Sequence, residues 1–179
     1  MTQVGVNYAG GLYALAQEEG LTGQLLEHLE VLETVFANEP QFMRLLAAPN
    51  IPKQERCQAA DRALRGRVHP YVLNFVKLLT EKGYAKYFGD CCRAYRERYD
   101  ADNGILRVSA VSAVPLTQEQ TGRLAEKLSQ ITQKTVVLTQ RTDPSCLGGV
   151  KLTYDGKQID GTVRSRLDSL SARLKNTVL

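Results

Sequence analysis

The side chains able to do chemistry are few in this sequence, and they miss the spacings that chemistry needs. His28 and His69 are the only imidazoles. A Ser/His/Asp or Cys/His arrangement would have to be built on one of them, and no nucleophile lies beside either in sequence. Both are expected on the surface. The four cysteines, Cys57, Cys91, Cys92 and Cys146, include no C-x-x-C pair, so the ligand spacing of a zinc site is missing. Cys91 and Cys92 are adjacent in a helical pattern, where a vicinal bridge is strained, and they read as small, buried, reduced thiols. Neither a G-x-x-x-x-G-K-[ST] loop nor a G-x-G-x-x-G turn is present to cradle phosphate. Gly148-Gly149 leads into a strand rather than a helix, so a bulge or a close backbone approach is the expectation there. No catalytic residue, metal ligand or cofactor is assigned.

Binding chemistry is better represented. Arg93, Arg96 and Arg98 stand beside Tyr95 and Tyr99, and Arg164, Arg166 and Arg173 follow near the end of a chain of pI 8.9. Arginine interleaved with tyrosine can pair phosphates and stack bases. Tyr95 and Tyr99, however, extend an apolar stripe from Tyr84 and Phe88, which makes them core residues first. No helix-turn-helix, RRM or zinc-finger pattern accompanies them. Charge is also unevenly spread. The first 43 residues hold Glu18, Glu19, Glu27, Glu30, Glu33 and Glu39 and no Lys or Arg, so they carry −6 in a chain of net +4. Such a run usually solvates helix faces, and it can also present an acidic face to a basic partner.

The elements that must position these residues fall into two periodicities. From Val4 to about Asn103 the apolar residues follow the helical repeat, and Gly, Pro and Asn cut the stretch into six short helices. Tyr8, Leu12 and Leu15 share a stripe on the first; Leu25, Leu29, Leu32 and Phe36 on the second. Short third and fourth helices span residues 41–47 and 53–64. Val72, Phe75, Val76 and Leu79 mark the fifth, and Tyr84, Phe88, Cys91, Tyr95 and Tyr99 the sixth. Six short helices with tight connections predict a compact bundle over residues 1–103.

At Asn103-Gly104 the period changes. Residues 105–114 alternate as a strand, Thr117 and Gln120 form a capping box for a helix to about Thr132, and residues 135–139 make a second strand. Strand, helix, strand predicts a right-handed crossover between parallel strands. A third strand follows Gly148-Gly149, and Asp155-Gly156 turns it into a fourth at 157–159. Asp160 is placed to cap a last helix bearing Val163, Leu167, Leu170 and Leu174. The fold class is α+β overall: a six-helix bundle, then a small α+β domain at 104–179 with a mixed sheet and hairpin.

No window approaches the run of about 18 apolar residues that crosses a bilayer, and the N-terminus lacks a signal or transit pattern. A soluble protein that stays in the compartment where it is made is the expectation. The first and fifth helices are apolar around more of their circumference than one core face requires. Tyr8, Ala9, Leu12, Tyr13, Leu15 and Ala16 cover over a third of the first wheel, and Leu73 and Leu78 lie off the main stripe of the fifth. Such helices are either central in the core or carry a second apolar face for a partner, and a groove between them would suit an amphipathic helix from another chain.

The assembled motifs resemble a known family. DPSCLGGVKLTYDGKQIDGTVRSRLDSL, Asp143 to Leu170, is similar to the C-terminal pattern of the delta subunit of bacterial and chloroplast ATP synthases, the equivalent of the mitochondrial oligomycin-sensitivity-conferring protein. YAGGLYALAQEEG, VLNFVKLLTEKG and VSAVSAVPLTQEQ extend the resemblance in order along essentially the whole chain. Gly10-Gly11, Cys146 and Ser165 depart from the family's usual residues. The resemblance implies a non-catalytic stator subunit without cofactor, present in one copy in a hetero-oligomeric complex that is peripheral to the membrane. That places it on the cytoplasmic face of the plasma membrane, or at the thylakoid in a photosynthetic source. No nucleic acid and no direct membrane insertion are implied. The helical domain is implied to bind the N-terminal helix of an alpha subunit between its first and fifth helices, and the C-terminal domain to bind the b-type stalk subunits. Tyr8, Ala9, Leu12, Tyr13, Val72, Phe75, Val76 and Leu79 are the expected groove residues, with Arg164, Arg166 and Leu170 on the stalk side. Gly148, Gly149, Asp155, Gly156, Asp160 and Gly161 are assigned structural roles. A general helical adaptor or a nucleic-acid-binding module is the alternative.

Overall fold

Glycine in the left-handed conformation ends helices because no Cβ crowds the following carbonyl. At Gly20 (φ 67°) the amide bonds Gln17 O and the next amide, Leu21 N, reaches Ala16 O; Gly83 (φ 74°) and Tyr84 repeat this at Thr80 and Leu79. These paired bonds close α1 (Gln3–Glu18) and α5 (Pro70–Glu81). The computed structural model describes residues 2–154, 156–165 and 167. It is α+β, and the chain divides into Met1–Tyr99 and Asp100–Leu179.

The first unit comprises α1, α2 (Thr22–Asn38), α3 (Pro40–Ala47), α4 (Lys53–Leu64), α5 and most of α6 (Phe88–Asp102), with a 3-10 turn at Ala85–Tyr87 before α6. Tyr84 therefore precedes the 3-10 turn instead of opening the sixth helix. The core runs through Leu25, Leu29, Leu46, Val72, Leu79, Phe88 and Tyr95. Tyr95 is fully buried, packs edge-on against Tyr13 at 5.1 Å, and donates its hydroxyl to Thr22 O at 3.0 Å. A buried hydroxyl needs such a partner.

In the second unit, β1 (Ile105–Ser112) pairs in parallel with β2 (Thr135–Thr142) across α7 (Gln118–Thr132), and antiparallel with β3 (Val150–Tyr154), which pairs with β4 (Lys157–Asp160). The order is β2-β1-β3-β4. Both bonds of the Thr117–Gln120 capping box are formed. β1 stops two residues short of the expected Val114 and β2 runs three past Thr139, because its far end still pairs with Val111 and Ser112. Leu124 and Leu128 of α7 pack with Leu116 on Leu106, Val108, Ala110 and Leu152. Tyr154 pairs with Lys157 around Gly156 (φ 71°). Asp155, Arg166 and Leu170, with the predicted helix beyond residue 167, lie outside the described residues.

Candidate partner-binding groove

Two helices wall the groove, and each is held from behind. The Thr2 hydroxyl caps α1 by accepting Gly5 N–H, while the Thr2 amide donates to Asp90 Oδ2 of α6 at 3.0 Å. A Cβ on Gly5 would sit 2.9 Å from Asp90, so the two helices meet almost backbone to backbone. α5 starts on Pro70 behind His69, whose Nδ1 accepts Tyr71 N–H. His69 in turn donates its own amide to His28 Nδ1 of α2 at 2.7 Å. The two histidines, expected apart on the surface, are half-buried neighbours. Each serves as an acceptor for a backbone amide.

Between these helices lies an open groove of about 560 Å³ lined by Asn7, Tyr8, Gly11, Leu12 and Leu15 of α1 and Tyr71, Asn74, Phe75 and Leu78 of α5. Leu12 and Phe75 form its buried floor, while Leu15 and Leu78 stay 37% and 39% exposed on its walls. Large apolar side chains left this open along one cleft are what a partner surface requires.

Of the eight expected groove residues, Tyr8, Leu12 and Phe75 line it. The other five are corrected: Ala9, Tyr13, Val72, Val76 and Leu79 point into the bundle, where all are nearly or wholly buried. Val76 and Leu79 pack toward Phe36, Leu46 and Phe88. Ala9, Tyr13 and Ala16 form one row at i, i+4, i+7, and Val72, Val76 and Leu79 another; these are the inward faces. Leu15 was visible within the broad apolar arc of the first helix and Leu78 as a residue off the main stripe of the fifth, whereas Leu73, also off that stripe, is buried; Tyr71, Phe75 and Leu78 repeat at i, i+4, i+7. Asn7, Gly11 and Asn74 carried no apolar signal.

The groove holds no carboxylate, imidazole, thiol or ammonium group, so it offers shape and apolar area instead of acid–base chemistry. Two of the cysteines are equally inert. Cys91 and Cys92 are buried, Cys92 Sγ lies 3.8 Å from Leu29 O, and burial raises both thiols, Cys91 to about 11. Part of the arginine–tyrosine cluster is used inside the fold. Tyr95 has no exposed ring, and Arg96 donates to Glu30 at 2.7 Å and Glu33 at 2.9 Å. Burial opposes the Arg96 charge, but the two carboxylates outweigh it and raise its pKa.

In the second unit the C-terminal motif folds a loop. Asp143 accepts Ser145 N–H at 2.9 Å; this hydrogen bonding with Ser145 lowers its pKa, and the Arg164 charge adds to the effect. Gly149 (φ 78°) runs so close to Gly161 that any Cβ would strike the Gly161 carbonyl. Gly161 donates its amide to Val150 O, and Val163 donates to Gly148 O. The cap at Val163 is Thr162, not Asp160: Thr162 Oγ1 accepts Ser165 N–H, while Asp160 accepts from the Thr162 hydroxyl at 2.7 Å and holds it in place. Arg164 is exposed.

The open apolar groove lies on the helical unit, and a small α+β unit follows it in the chain. Residues 4–174 match the family described as ATP synthase delta (OSCP) subunit, and the chain belongs to that family. It is 31% identical over 172 residues to ATP synthase subunit delta of Clostridioides difficile, covering 96% of this chain and 95% of that one. It is likewise 31% identical over 171 residues to the Myxococcus xanthus subunit, with 94% of each covered. A chain of the Toxoplasma gondii mitochondrial ATP synthase hexamer, solved by cryo-EM, shares the fold with a TM-score of 0.74, at 18% identity and over 97% of this chain and 98% of its own. The protein is thus a non-catalytic stator component of the peripheral stalk of an F-type ATP synthase, associated with the membrane through its complex. Among the described residues no helix is long and apolar enough to cross a membrane.

Proposed function

We propose that residues 1–103 act as a six-helix bundle that caps the catalytic head and seats the N-terminal helix of an alpha subunit between α1 and α5. Residues 104–179 bind the end of the paired b-type stalk subunits, with Arg164, Arg166 and Leu170 on that side. One copy of the chain ties the head to the stalk on the cytoplasmic face of the plasma membrane, or at the thylakoid in a photosynthetic source. Ion flow turns the rotor, and the head would turn with it unless held. A connector under torque needs slow dissociation, not a perturbed pKa or a bound metal.

The observation that carries this reading is the open apolar groove with Leu15 and Leu78 on its walls. An amphipathic helix laid there gains roughly 25 cal/mol per Å² of apolar area before ordering costs are subtracted. Glu30 and Glu33 are already engaged by Arg96. That leaves Glu18, Glu19, Glu27 and Glu39 exposed, a charge that adds only a screened attraction for basic residues on the incoming helix.

Calorimetric titration of the full chain, at low and high salt, tests it. A synthetic peptide of the alpha N-terminal segment should bind with a shallow salt dependence. Neither duplex nor single-stranded DNA should bind with the steep log–log slope of phosphate neutralisation. DNA binding with that slope, together with no peptide binding, would establish the nucleic-acid alternative.

A further inference from the structure

A backbone amide can only donate, so an imidazole nitrogen that receives one must keep its lone pair and carry no proton. Two such nitrogens stand in series where α5 begins. His28 Nδ1 on α2 accepts the His69 amide at 2.7 Å, and His69 Nδ1 accepts the Tyr71 amide at 3.3 Å. The His69 ring also stands edge-on to the Tyr71 ring, with centroids 5.0 Å apart. Pro70 brings no N–H to this first turn, so the Tyr71 amide is the donor that His69 caps. A charged ring has a proton on each nitrogen and accepts nothing; at His69 it would also face the positive end of the α5 dipole. Among the described residues no carboxylate lies within 4 Å of either ring to favour the charged form. On α2, Glu30 and Glu33 are held by Arg96, and Glu27 beside His28 is exposed. On α4, Asp61 is held by Arg65 and Lys77, and Arg67 ahead of His69 is exposed.

We propose that His28 and His69 form a proton-sensitive clasp on the start of α5. When either ring charges, a backbone amide loses its acceptor and the first turn of α5 loosens, taking with it Tyr71 of the groove wall. The bonds exist only with neutral rings. The stability they contribute is therefore present at high pH and lost as pH falls through the range, about 8 to 5, in which imidazoles change charge. The opposite wall does not respond over that range, because the Asp90 carboxyl that holds α1 is kept below its ordinary value of 3.8. Acid thus weakens the groove's hold on an occupant from the α5 side. That last consequence rests on the groove reading above; the clasp itself does not.

The test compares the full chain with the double variant His28→Asn/His69→Asn. Asn carries an acceptor oxygen the same two bonds from Cβ as Nδ1, caps helix N-termini well and does not titrate. Protection of the His69 and Tyr71 amides against hydrogen exchange is read after correction for the intrinsic effect of pH on exchange. In the wild type it should fall roughly tenfold between about pH 7.5 and pH 5.5, the worth of one hydrogen bond; in the variant it should stay level. The alpha N-terminal peptide should weaken over the same range with the wild type only. Imidazole nitrogen chemical shifts of the wild type give a reading that needs no variant: both Nδ1 atoms should be unprotonated at the upper pH. A proton on either Nδ1 there, unchanged amide protection in the wild type, or an equal loss in the variant would overturn the clasp. Amide opening with a peptide affinity that ignores pH would overturn its link to the groove. Absence of peptide binding at every pH would overturn the groove reading instead.

Discussion

Asp90 shows how one side chain sets a wall of the groove. Hydrogen bonds from the Thr2 side chain and amide hold its carboxyl below the ordinary value of 3.8. A carboxylate with a depressed folded pKa adds stability that is fully present above its unfolded pKa and lost as pH falls through the folded one. Asp90→Asn removes the charge and keeps only one acceptor oxygen. The stability difference between wild type and Asp90→Asn, measured by urea unfolding, should therefore be largest near neutral pH and shrink below about pH 3.8. A difference that grows in acid would contradict the assigned bond. Legibility at this scale depended on sequence separation. The Thr117–Gln120 capping box lies within four residues, and its pattern was readable. The Gly149 close approach was expected, but its counterpart Gly161 was not. His28 and His69, 41 residues apart, read as separate surface residues because only the packing of α2 against α5 brings them together.

The breakers and the change of period reveal where most elements start and stop, because Gly and Pro act locally on the backbone. They do not reveal which side of a helix faces inward when most of its circumference is apolar. Val76 and Leu78 are two residues apart on α5, yet one is 2% and the other 39% exposed. From the sequence, Val76 looked the better groove residue because it belongs to the strongest stripe, and the strongest stripe is the core face. The strand ends were misplaced for a related reason: β2 continues through the polar Gln140 and Arg141 because β1 supplies its ladder partners. This phase difference predicts opposite outcomes for the same chemical change. Val76→Asp buries an unpaired carboxylate and should cost roughly 3 kcal/mol or more, enough to lower Tm sharply or unfold the unit. Leu78→Asp should unfold within a degree or two of wild type by circular dichroism, on the order of the ±0.5 kcal/mol usual for surface changes. Equal destabilisation by both would mean that the phase of α5 is wrong.

At the scale of the whole molecule, the absence of catalytic spacings in the sequence and the chemistry of the groove point the same way. Apolar surplus was visible in the sequence as two helices with too many apolar faces; the family resemblance was needed to say what covers them. The central claim is that the chain holds the catalytic head through the N-terminal helix of an alpha subunit. It is tested most directly by measuring the affinity of the full chain for the isolated head, intact and with the alpha N-terminal segments removed. The account predicts saturable binding of one copy per intact head and loss of that binding when the segments are gone. Equal affinity for the intact and truncated heads would contradict it.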